Sequence, residues 1–437
     1  MQENIYPFRP RYYQNIIQLL QEDEQDISEE GMRRRCTALS ILQDYIPLPA
    51  NPNLMPSADG ALKGIIFTIP DYAFKGENNP IWDAYKDLLR KLPVYTKLYL
   101  LAHESIVTEL QQWLAENGLL ERAALKAVPQ YYEITIWAED GFELVKEEST
   151  GEIFLMQPHS HRRTSDGNIG YRISKAYDWK LAKVPLYFEG GNLLAGDDFI
   201  LLGADHAVET YHDWSGNLMD TDQDISKSIA NEYKRYLDKN RKVYFIGCQM
   251  QLPPQHERNF KLNGEDWKEQ IFMKNREGAV QPIFHIDMFI TLAGRNPNGN
   301  YQLVVGDPRM AATILNHHHD KLFLPDAFDE IAETLSRLGF EVIRNPLPLV
   351  YVDDPKQKLR KWYFASYNNA LIEIKSETEK TIWLPTYGYG TWTELQATDK
   401  ENQRIWQQLG FRVIPLADFH PFAENAGSVH CIKNYIR

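Results

Sequence analysis

Near the end of the 437-residue chain, Cys431 follows His430 in a short apolar segment. A cysteine thiolate is a strong nucleophile when a nearby base or cation activates it. We expect the segment to be a strand, in which neighbouring side chains point to opposite faces, so His430 is a poor base for Cys431. The other interpretation is a buried, inert thiol. Cys36, in the N-terminal segment, and Cys248, with no acid or histidine beside it, fit that interpretation better.

A histidine from elsewhere in the chain is therefore needed, and His285 is the candidate. His285 and Asp287 lie two residues apart in the apolar run 284–290, which we predict as a strand. Residues two apart in a strand share a face, so the imidazole and the carboxylate should project together. Polar groups in such a run are costly unless they are paired or used in function. A structural His–Asp pair would explain the pattern equally well.

Three further polar residues adjoin apolar runs. Asp140 follows the run 134–137, which we predict as a strand, and Asn369 lies at the start of another predicted strand. Glu189 precedes the glycine pair 190–191, which opens a predicted hairpin. Such glycines let the backbone approach a ligand or another strand closely, although a simple turn would also explain them.

The elements that carry these residues alternate between helix and strand. Helical stripes end at a glycine and continue as a strand, and the pattern Leu-Gly-Phe-x-Val-Ile occurs at both 338–343 and 409–414. The repeats are too diverged for a short-period solenoid, so we predict a ring of repeated α/β units. An ordinary α/β sheet with the same helix–glycine–strand pattern is the alternative.

The N-terminal stretch differs from the rest. Residues 12–46 have helical spacing, and residues 47–59 are rich in Pro, Asn and Ser. We therefore predict a helical extension and linker at 1–60, followed by an α/β domain at 61–437.

Composition excludes several classes of function. The chain has 47 basic and 60 acidic residues, a net charge of −13, and no basic stripe, so we expect no nucleic-acid partner. Its three scattered cysteines predict no disulfide framework. We find no apolar signal core and no bilayer-spanning run, and we expect a cytoplasmic protein without membrane partners.

Taken in order, these segments resemble the guanidino-group modifying enzymes, the arginine deiminase superfamily with the pentein fold. They are most similar to the agmatine deiminase and bacterial peptidylarginine deiminase branch. The resemblance rests on five motifs across about residues 62–437: 137–141 resembles Trp-x-Arg-Asp-x-Gly, 188–192 resembles the Glu-Gly-Gly-Asn hairpin, 285–287 is similar to His-x-Asp, 367–369 to Tyr-x-Asn, and 427–431 to Gly-x-x-His-Cys. Any one motif is weak, but five in this order are specific.

The resemblance implies a five-bladed α/β propeller of pseudo-repeats around a central pocket. It also implies a hydrolase in which Cys431 attacks a guanidino carbon and forms a covalent thiouronium intermediate. His285 would protonate the leaving amine and then activate water. No metal or organic cofactor is needed.

The same resemblance implies roles for the remaining residues. Asp140 and Asp287 would bind the guanidinium by charged hydrogen bonds, and Glu189 would orient the catalytic histidine. Asn369 would help to hold the substrate or the nucleophile, and Trp137 would contact the substrate.

Two features depart from the agmatine deiminase pattern. Glu139 stands where that branch has arginine, and the segment 140–189 carries an unexpected basic cluster, His159, His161, Arg162 and Arg163. The cluster could meet an α-carboxylate, but we favour a solvated loop. The substrate stays open among agmatine, arginine, methylated arginine and protein arginine, and so does the oligomeric state.

Other functions are weighed against this hypothesis. An amidinotransferase would use the same intermediate with an amine in place of water. A non-catalytic guanidinium-binding scaffold is a third class, which the full set of acids, histidine and cysteine argues against. A papain-like protease does not fit, because its cysteine opens a helix near the mature N-terminus.

Overall fold

The computed structural model describes residues 28, 29, 32, 48–159, 161–163, 165–214, 224–317 and 324–437. Most of the predicted N-terminal helix at 12–46, with Cys36, lies outside these residues. The described part is a mixed α/β structure, as the alternation of helical and strand patterns predicts. None of its helices combines the length and the apolar character needed to cross a bilayer.

The described strands are, in chain order, β1 (Pro52–Leu54), β2 (Gly64–Ile69), β3 (Lys97–His103), β4 (Ala123–Val128), β5 (Glu143–Glu147), β6 (Ile153–Gln157), β7 (Lys180–Lys183), β8 (Leu193–Ala195), β9 (Phe199–Gly203), β10 (Lys242–Ile246), β11 (His256–Leu262), β12 (Glu265–Ile271), β13 (Ile290–Arg295), β14 (Tyr301–Asp307), β15 (Glu341–Pro346), β16 (Leu349–Asp354), β17 (Leu359–Phe364), β18 (Leu371–Ser376), β19 (Glu379–Thr386), β20 (Arg412–Asp418) and β21 (Lys433–Ile436). The described α-helices are α1 (Asp71–Phe74), α2 (Pro80–Lys91), α3 (Val107–Glu116), α4 (Asp166–Tyr177), α5 (Ala204–Trp214), α6 (Ile225–Tyr236), α7 (Pro308–Leu315), α8 (Pro325–Arg337), α9 (Gln396–Gln408) and α10 (His420–Ala423).

Five sheets of the described chain share one topology. In each, the first strand pairs antiparallel with the second, and the second pairs parallel with the third after a helical crossover. The five sets are β5-β6-β7, β8-β9-β10, β13-β14-β15, β18-β19-β20 and β21-β2-β3. The last set joins the C-terminal strand to N-terminal ones, and a sixth sheet, β11-β12-β17-β16, stands apart. The strands thus form separate repeated sheets, and the alternative of one ordinary sheet is wrong.

The helix–glycine–strand pattern has a simple physical basis. In α8 a proline starts the helix, and Phe328, Ile331 and Leu335 form a buried stripe. The helix then stops at Gly339, whose φ of 98° favours glycine, and β15 follows. Gly410, with a φ of 85°, repeats this arrangement between α9 and β20. Each buried side chain of such a stripe stabilises the fold by about 2 kcal/mol.

Part of the segment predicted as a linker is a strand. β1 pairs antiparallel with β5, and Leu54 and Ala58 are buried. The apolar residues among the Pro, Asn and Ser of this segment supply that burial, which composition alone does not reveal. The division at residue 60 stays a prediction.

Candidate active site

The predicted site residues occupy equivalent places in the five repeated sheets. Asp140, Glu189, Asp287, Asn369 and Cys431 each lie two to four residues before the first strand of a set. Turns before strands leave side chains free to point out of the sheet, and loops on a rigid scaffold commonly carry function. The contacts below bring these turns together.

Three of the predicted strands at the site are wrong. Residues 134–137 form no strand, and 429–431 form a turn before β21. His285 is extended but caps the 3-10 helix Ile286–Met288, so β13 begins only at Ile290. The apolar residues are buried in the turns as they would be in strands, and hydrophobic pattern cannot separate the two in so short a run.

The prediction that the side chains of His430 and Cys431 point to opposite faces of a strand is also wrong. Because 430 and 431 lie in a turn, both side chains reach the same carboxylate oxygen. His430 Nδ1 lies 2.9 Å and Cys431 Sγ lies 3.4 Å from Asp287 Oδ2. His430 is therefore a site residue that strand alternation missed, and its place directly before the candidate nucleophile is the signal that pointed to it.

Asn369 fixes the nucleophile's turn against Asp287. Its Nδ2 donates to Asp287 Oδ2 at 2.7 Å and to Cys431 Sγ at 3.1 Å. Its Oδ1 accepts from the backbone N–H groups of His430 at 2.9 Å and Cys431 at 3.2 Å. One buried amide thus sets the position of the thiol, the carboxylate and the connecting backbone.

His285 is held from the opposite side by Glu189. Its Nε2 lies 2.7 Å from Glu189 Oε2, and Glu189 Oε1 accepts from the backbone N–H of Arg162 at 3.1 Å. Burial would raise the pKa of Glu189, but the His285 hydrogen bond and the Arg162 charge lower it well below its ordinary value. The lowered pKa favours the ionised form of Glu189, which can accept the hydrogen bond from His285 Nε2.

Asn192, the last residue of the hairpin motif, connects these two loops. Its Oδ1 accepts from the backbone N–H of Ile286 at 3.2 Å and from Gln281 at 2.8 Å. Its Nδ2 donates to Asp205 at 2.8 Å. The loop that carries His285 is thereby fixed beside the loop that carries Glu189.

Four buried polar atoms at the centre lack a hydrogen-bond partner among the described residues. They are Asp140 Oδ1, Asp287 Oδ1, His285 Nδ1 and His430 Nε2. Asp140 Oδ1 and His285 Nδ1 lie 3.8 Å apart. A Cβ on Gly191 would stand 2.5 Å from His285 Nδ1 and 3.1 Å from Asp287 Oδ2, so this backbone must be glycine. Buried polar atoms without partners are costly, and this group points to a ligand that donates hydrogen bonds.

The environment of Cys431 disfavours its thiolate. Burial raises the pKa of the thiol well above its ordinary value, and the negative charges of Asp287 and Asp140 raise it further. The hydrogen bond from Asn369 acts in the opposite sense and is outweighed. A cation bound between these acids would favour the thiolate.

Glu139, which stands where the agmatine deiminase branch has arginine, forms an ion pair with Lys433. Its Oε2 lies 3.2 Å from Nζ of the fully buried Lys433, and its Oε1 lies 3.6 Å from His430 Nε2. Burial raises the pKa of Glu139 and lowers that of Lys433, while the charge of each opposes the shift of the other. A lysine inside an apolar C-terminal run was the sequence signal for this pair.

The basic cluster at 159–163 is not a solvated loop. His161 Nε2 lies 3.1 Å from the carbonyl oxygen of Gly141, and Arg162 binds Asp205 at 2.5 Å. Arg163 forms an ion pair with Asp140, and its guanidinium carbon lies 5.6 Å from the centroid of the Trp137 ring. Composition predicts exposure here, but the buried Asp140 and the partly buried Asp205 supply partners from other segments.

A pocket of about 200 Å³ lies beside the centre. Its lining includes Arg162, Lys274 and Phe284. The centroid of the Phe284 ring lies 4.0 Å from the centroid of the His285 ring. Desolvation and the charge of Arg163 lower the pKa of Lys274, while Asp140 and Cys431 oppose this. The pocket therefore opens next to the candidate reaction centre.

Comparison with known proteins relates this fold to solved structures. No protein-family model matches the sequence, and no curated protein is significantly similar to it. C. jejuni agmatine deiminase superposes with a TM-score of 0.54 at 15% identity, covering 88% of this chain and 95% of that one. Agmatine deiminase of Enterococcus faecalis superposes with a TM-score of 0.57 at 11% identity, covering 90% and 98%. The chain therefore has the fold of these agmatine deiminases, as the order of its sequence motifs predicts.

Proposed function

We propose that the chain is a cysteine-dependent hydrolase of the guanidino group of an arginine-like or agmatine-like substrate. The observation that carries this proposal is the pair of unpartnered carboxylate oxygens, Asp140 Oδ1 and Asp287 Oδ1, beside the thiol of Cys431. A guanidinium is a planar cation with several N–H donors, so it matches two buried carboxylates. The solved complex of a C. jejuni agmatine deiminase variant with substrate bound supports a small guanidino substrate.

The mechanism begins with binding of the cation. The bound charge offsets the burial and the acids that raise the pKa of the Cys431 thiol. The thiol proton passes to His285, and sulfur attacks the guanidino carbon to give a tetrahedral adduct. His285 then protonates the departing nitrogen, the C–N bond breaks, and a thiouronium intermediate remains.

The second half of the reaction uses the same groups in reverse. His285 Nδ1 accepts a proton from water, whose oxygen attacks the thiouronium carbon. The C–S bond breaks, the imidazolium of His285 returns its proton to Cys431, and the ureido product leaves after its hydroxyl proton passes to solvent or to the released amine. Glu189, ionised and 2.7 Å from His285 Nε2, stabilises the imidazolium in both halves. Asn369 keeps Cys431 beside Asp287 throughout.

We also propose that the five repeated sheets surround this centre as a five-bladed propeller. The common topology and the common place of the site residues before each first strand support this arrangement.

A product screen tests the function. Agmatine, arginine, methylated arginine and arginine peptides are each incubated with the protein, and ammonia, released alkylamine and ureido product are measured. We expect turnover of at least one compound without added amine, and at least a thousandfold loss in Cys431→Ala. Cys248→Ala is the matched control, because Cys248 is buried away from these acids and should retain full activity.

Three results would contradict the proposal. Failure of the protein to release ammonia or an alkylamine from any compound contradicts the hydrolase. Product formation that needs an added amine favours an amidinotransferase instead. Full activity of Cys431→Ser contradicts the covalent mechanism, because serine is a far weaker nucleophile here.

A further inference from the structure

A second guanidinium-binding arrangement lies beside the reaction centre, and the chain's own Arg163 fills it. Arg163 forms an ion pair with Asp140 Oδ2 and donates from Nε to Asp166 Oδ2 at 2.8 Å. Its guanidinium carbon lies 5.6 Å from the centroid of the Trp137 ring. Two carboxylates and an aromatic face are favourable partners for a guanidinium. Arg163 is therefore bound by the chemistry that a guanidino substrate would need.

The two carboxylate oxygens of Asp140 have different surroundings. Oδ2 takes the ion pair, while Oδ1 is unpartnered and lies 3.8 Å from His285 Nδ1. Within the described residues, Arg163 is the sole side-chain hydrogen-bond donor to Asp140. Asp140 is only 3% exposed, and a buried carboxylate without a donor is costly. The orientation of Asp140 thus depends on Arg163.

Arg163 is itself held in place by Asp166. Asp166 is fully buried and accepts a second hydrogen bond from Thr135 Oγ1 at 3.1 Å. The preceding residue, Arg162, donates its backbone N–H to Glu189. Two consecutive arginines therefore contact the two carboxylates, Asp140 and Glu189, that face His285 from different sides.

We propose that Arg163 is a positioning residue for the guanidino group, holding Asp140 by Oδ2 so that Oδ1 faces the substrate. This inference rests on the proposed function, because it assigns Asp140 to the substrate cation. The competing idea is that Arg163 occupies the substrate's own place. The two differ in sign: a positioning residue strengthens cation binding, and a competitor weakens it.

The test compares two reagents that alkylate Cys431 in the full-length protein. The thiolate displaces chloride from 2-chloroacetamidine, an amidinium cation, and iodide from iodoacetamide, which is neutral. Labelling rates are measured by mass spectrometry of the Cys431 peptide. We expect Arg163→Ala to lower the ratio of the amidinium rate to the iodoacetamide rate about tenfold or more, as loss of a hydrogen bond to a charged group implies. The ratio cancels any change in the thiolate population of Cys431, because that change affects both reagents alike.

Further variants separate charge from geometry. Arg163→Lys keeps the charge but loses the planar fork, so its ratio should fall between those of wild type and Arg163→Ala. Asp166→Asn weakens the hold on Arg163 without touching Asp140 and should act in the same direction with a smaller effect. Arg404→Ala is the matched control, because Arg404 is half-exposed and, among the residues that the structure describes, pairs only with Glu401.

The outcomes distinguish this inference from the proposed function. A ratio of amidinium to iodoacetamide rates in Arg163→Ala that equals or exceeds that of wild type overturns the positioning role. A wild-type protein that shows no preference for the amidinium over iodoacetamide contradicts the proposed function instead. Thermal melting of each variant shows whether it is folded, and the Lys and Asn variants decide the question if the Ala variant is not.

Discussion

Two histidines flank the candidate reaction centre, and their surroundings differ. His285 is held through Nε2 by Glu189, while its Nδ1 faces the unpartnered Oδ1 of Asp140. His430 is held through Nδ1 by Asp287, while its Nε2 faces Glu139, whose other oxygen binds Lys433. Each ring thus has one nitrogen without a hydrogen-bond partner among the described residues, and each faces an acid whose other oxygen pairs with a cation, Arg163 for Asp140 and Lys433 for Glu139. The two sides differ in access: the His285 ring adjoins Phe284, which lines the pocket of about 200 Å³, whereas Glu139 and Lys433 are fully buried.

We propose that this difference gives the two rings different work. A proton-transfer group needs a nitrogen that the reacting atoms can reach, and His285, whose Nδ1 is unpartnered and whose ring adjoins the pocket, is the candidate. His430, although adjacent to Cys431 in the chain, binds the carboxylate that also contacts the thiol. Adjacency to Cys431 in the sequence therefore does not make His430 the catalytic base. We propose His430 as a positioning residue for Asp287.

The largest effect is expected from substituting the two histidines one at a time. His285→Asn should lower kcat about a thousandfold, because asparagine cannot accept or donate the transferred proton. His430→Asn retains a polar group next to Asp287 and should lower kcat only about tenfold. Steady-state kinetics on the substrate found in the product screen measures both.

Melting temperatures of both variants within a few degrees of wild type are the control for folding. Equal losses in the two variants would contradict the division of roles, and a larger loss in His430→Asn would reverse it.

The next effect concerns the buried pair behind His430. Lys433→Met leaves Glu139 without its cation in a fully buried place, which should reduce the free energy of unfolding by about 3–5 kcal/mol. Urea unfolding measures the change. The double variant Glu139→Gln with Lys433→Met should regain a large part of the loss, because no unpaired charge remains. If Lys433→Met is as stable as wild type, the Glu139–Lys433 pair does not stabilise the fold.

The smallest effect is a change in pH dependence. Since burial and then the Asp287 charge raise the pKa of the Cys431 thiol, alkylation by iodoacetamide should still be increasing with pH above pH 9. Removing the anion in Asp287→Asn favours the thiolate, so the profile should move to lower pH. Glu189→Gln, on the His285 side, should move it less. Asp266→Asn, an exposed acid, is the control.

The pH profile also has a clear contrary outcome. If the alkylation rate of the free protein no longer increases above pH 7, the thiolate is stable without a bound cation. That result would contradict the raised pKa of Cys431.

Much of the site follows from local chemistry. A cysteine, a histidine and acids stand at the ends of apolar runs, where polar groups need a reason, and these residues proved to be neighbours. The helix–glycine–strand unit is equally local, because Gly339 and Gly410 terminate their helices in the left-handed region. Such signals require only the chain within a few residues.

Errors arose where the partner came from far along the chain. Composition predicts Arg162 and Arg163 in water, but Asp205 and Asp140 bind them from other segments. Alternation predicts a strand at His430 and Cys431, but the segment is a turn that depends on hydrogen bonds to Asn369. Alternation and composition contain no information about such distant contacts.

The candidate residues, the order of the motifs and the repeated α/β pattern can be predicted from the sequence, because they depend on periodicity and on the cost of burying polar groups. The unpartnered nitrogen of each histidine, the unpartnered carboxylate oxygens and the ion pair between Asp140 and Arg163 are visible in the three-dimensional structure alone. Those facts depend on ångström-scale distances between turns far apart in the chain, which are set by the packing of the five repeated sheets.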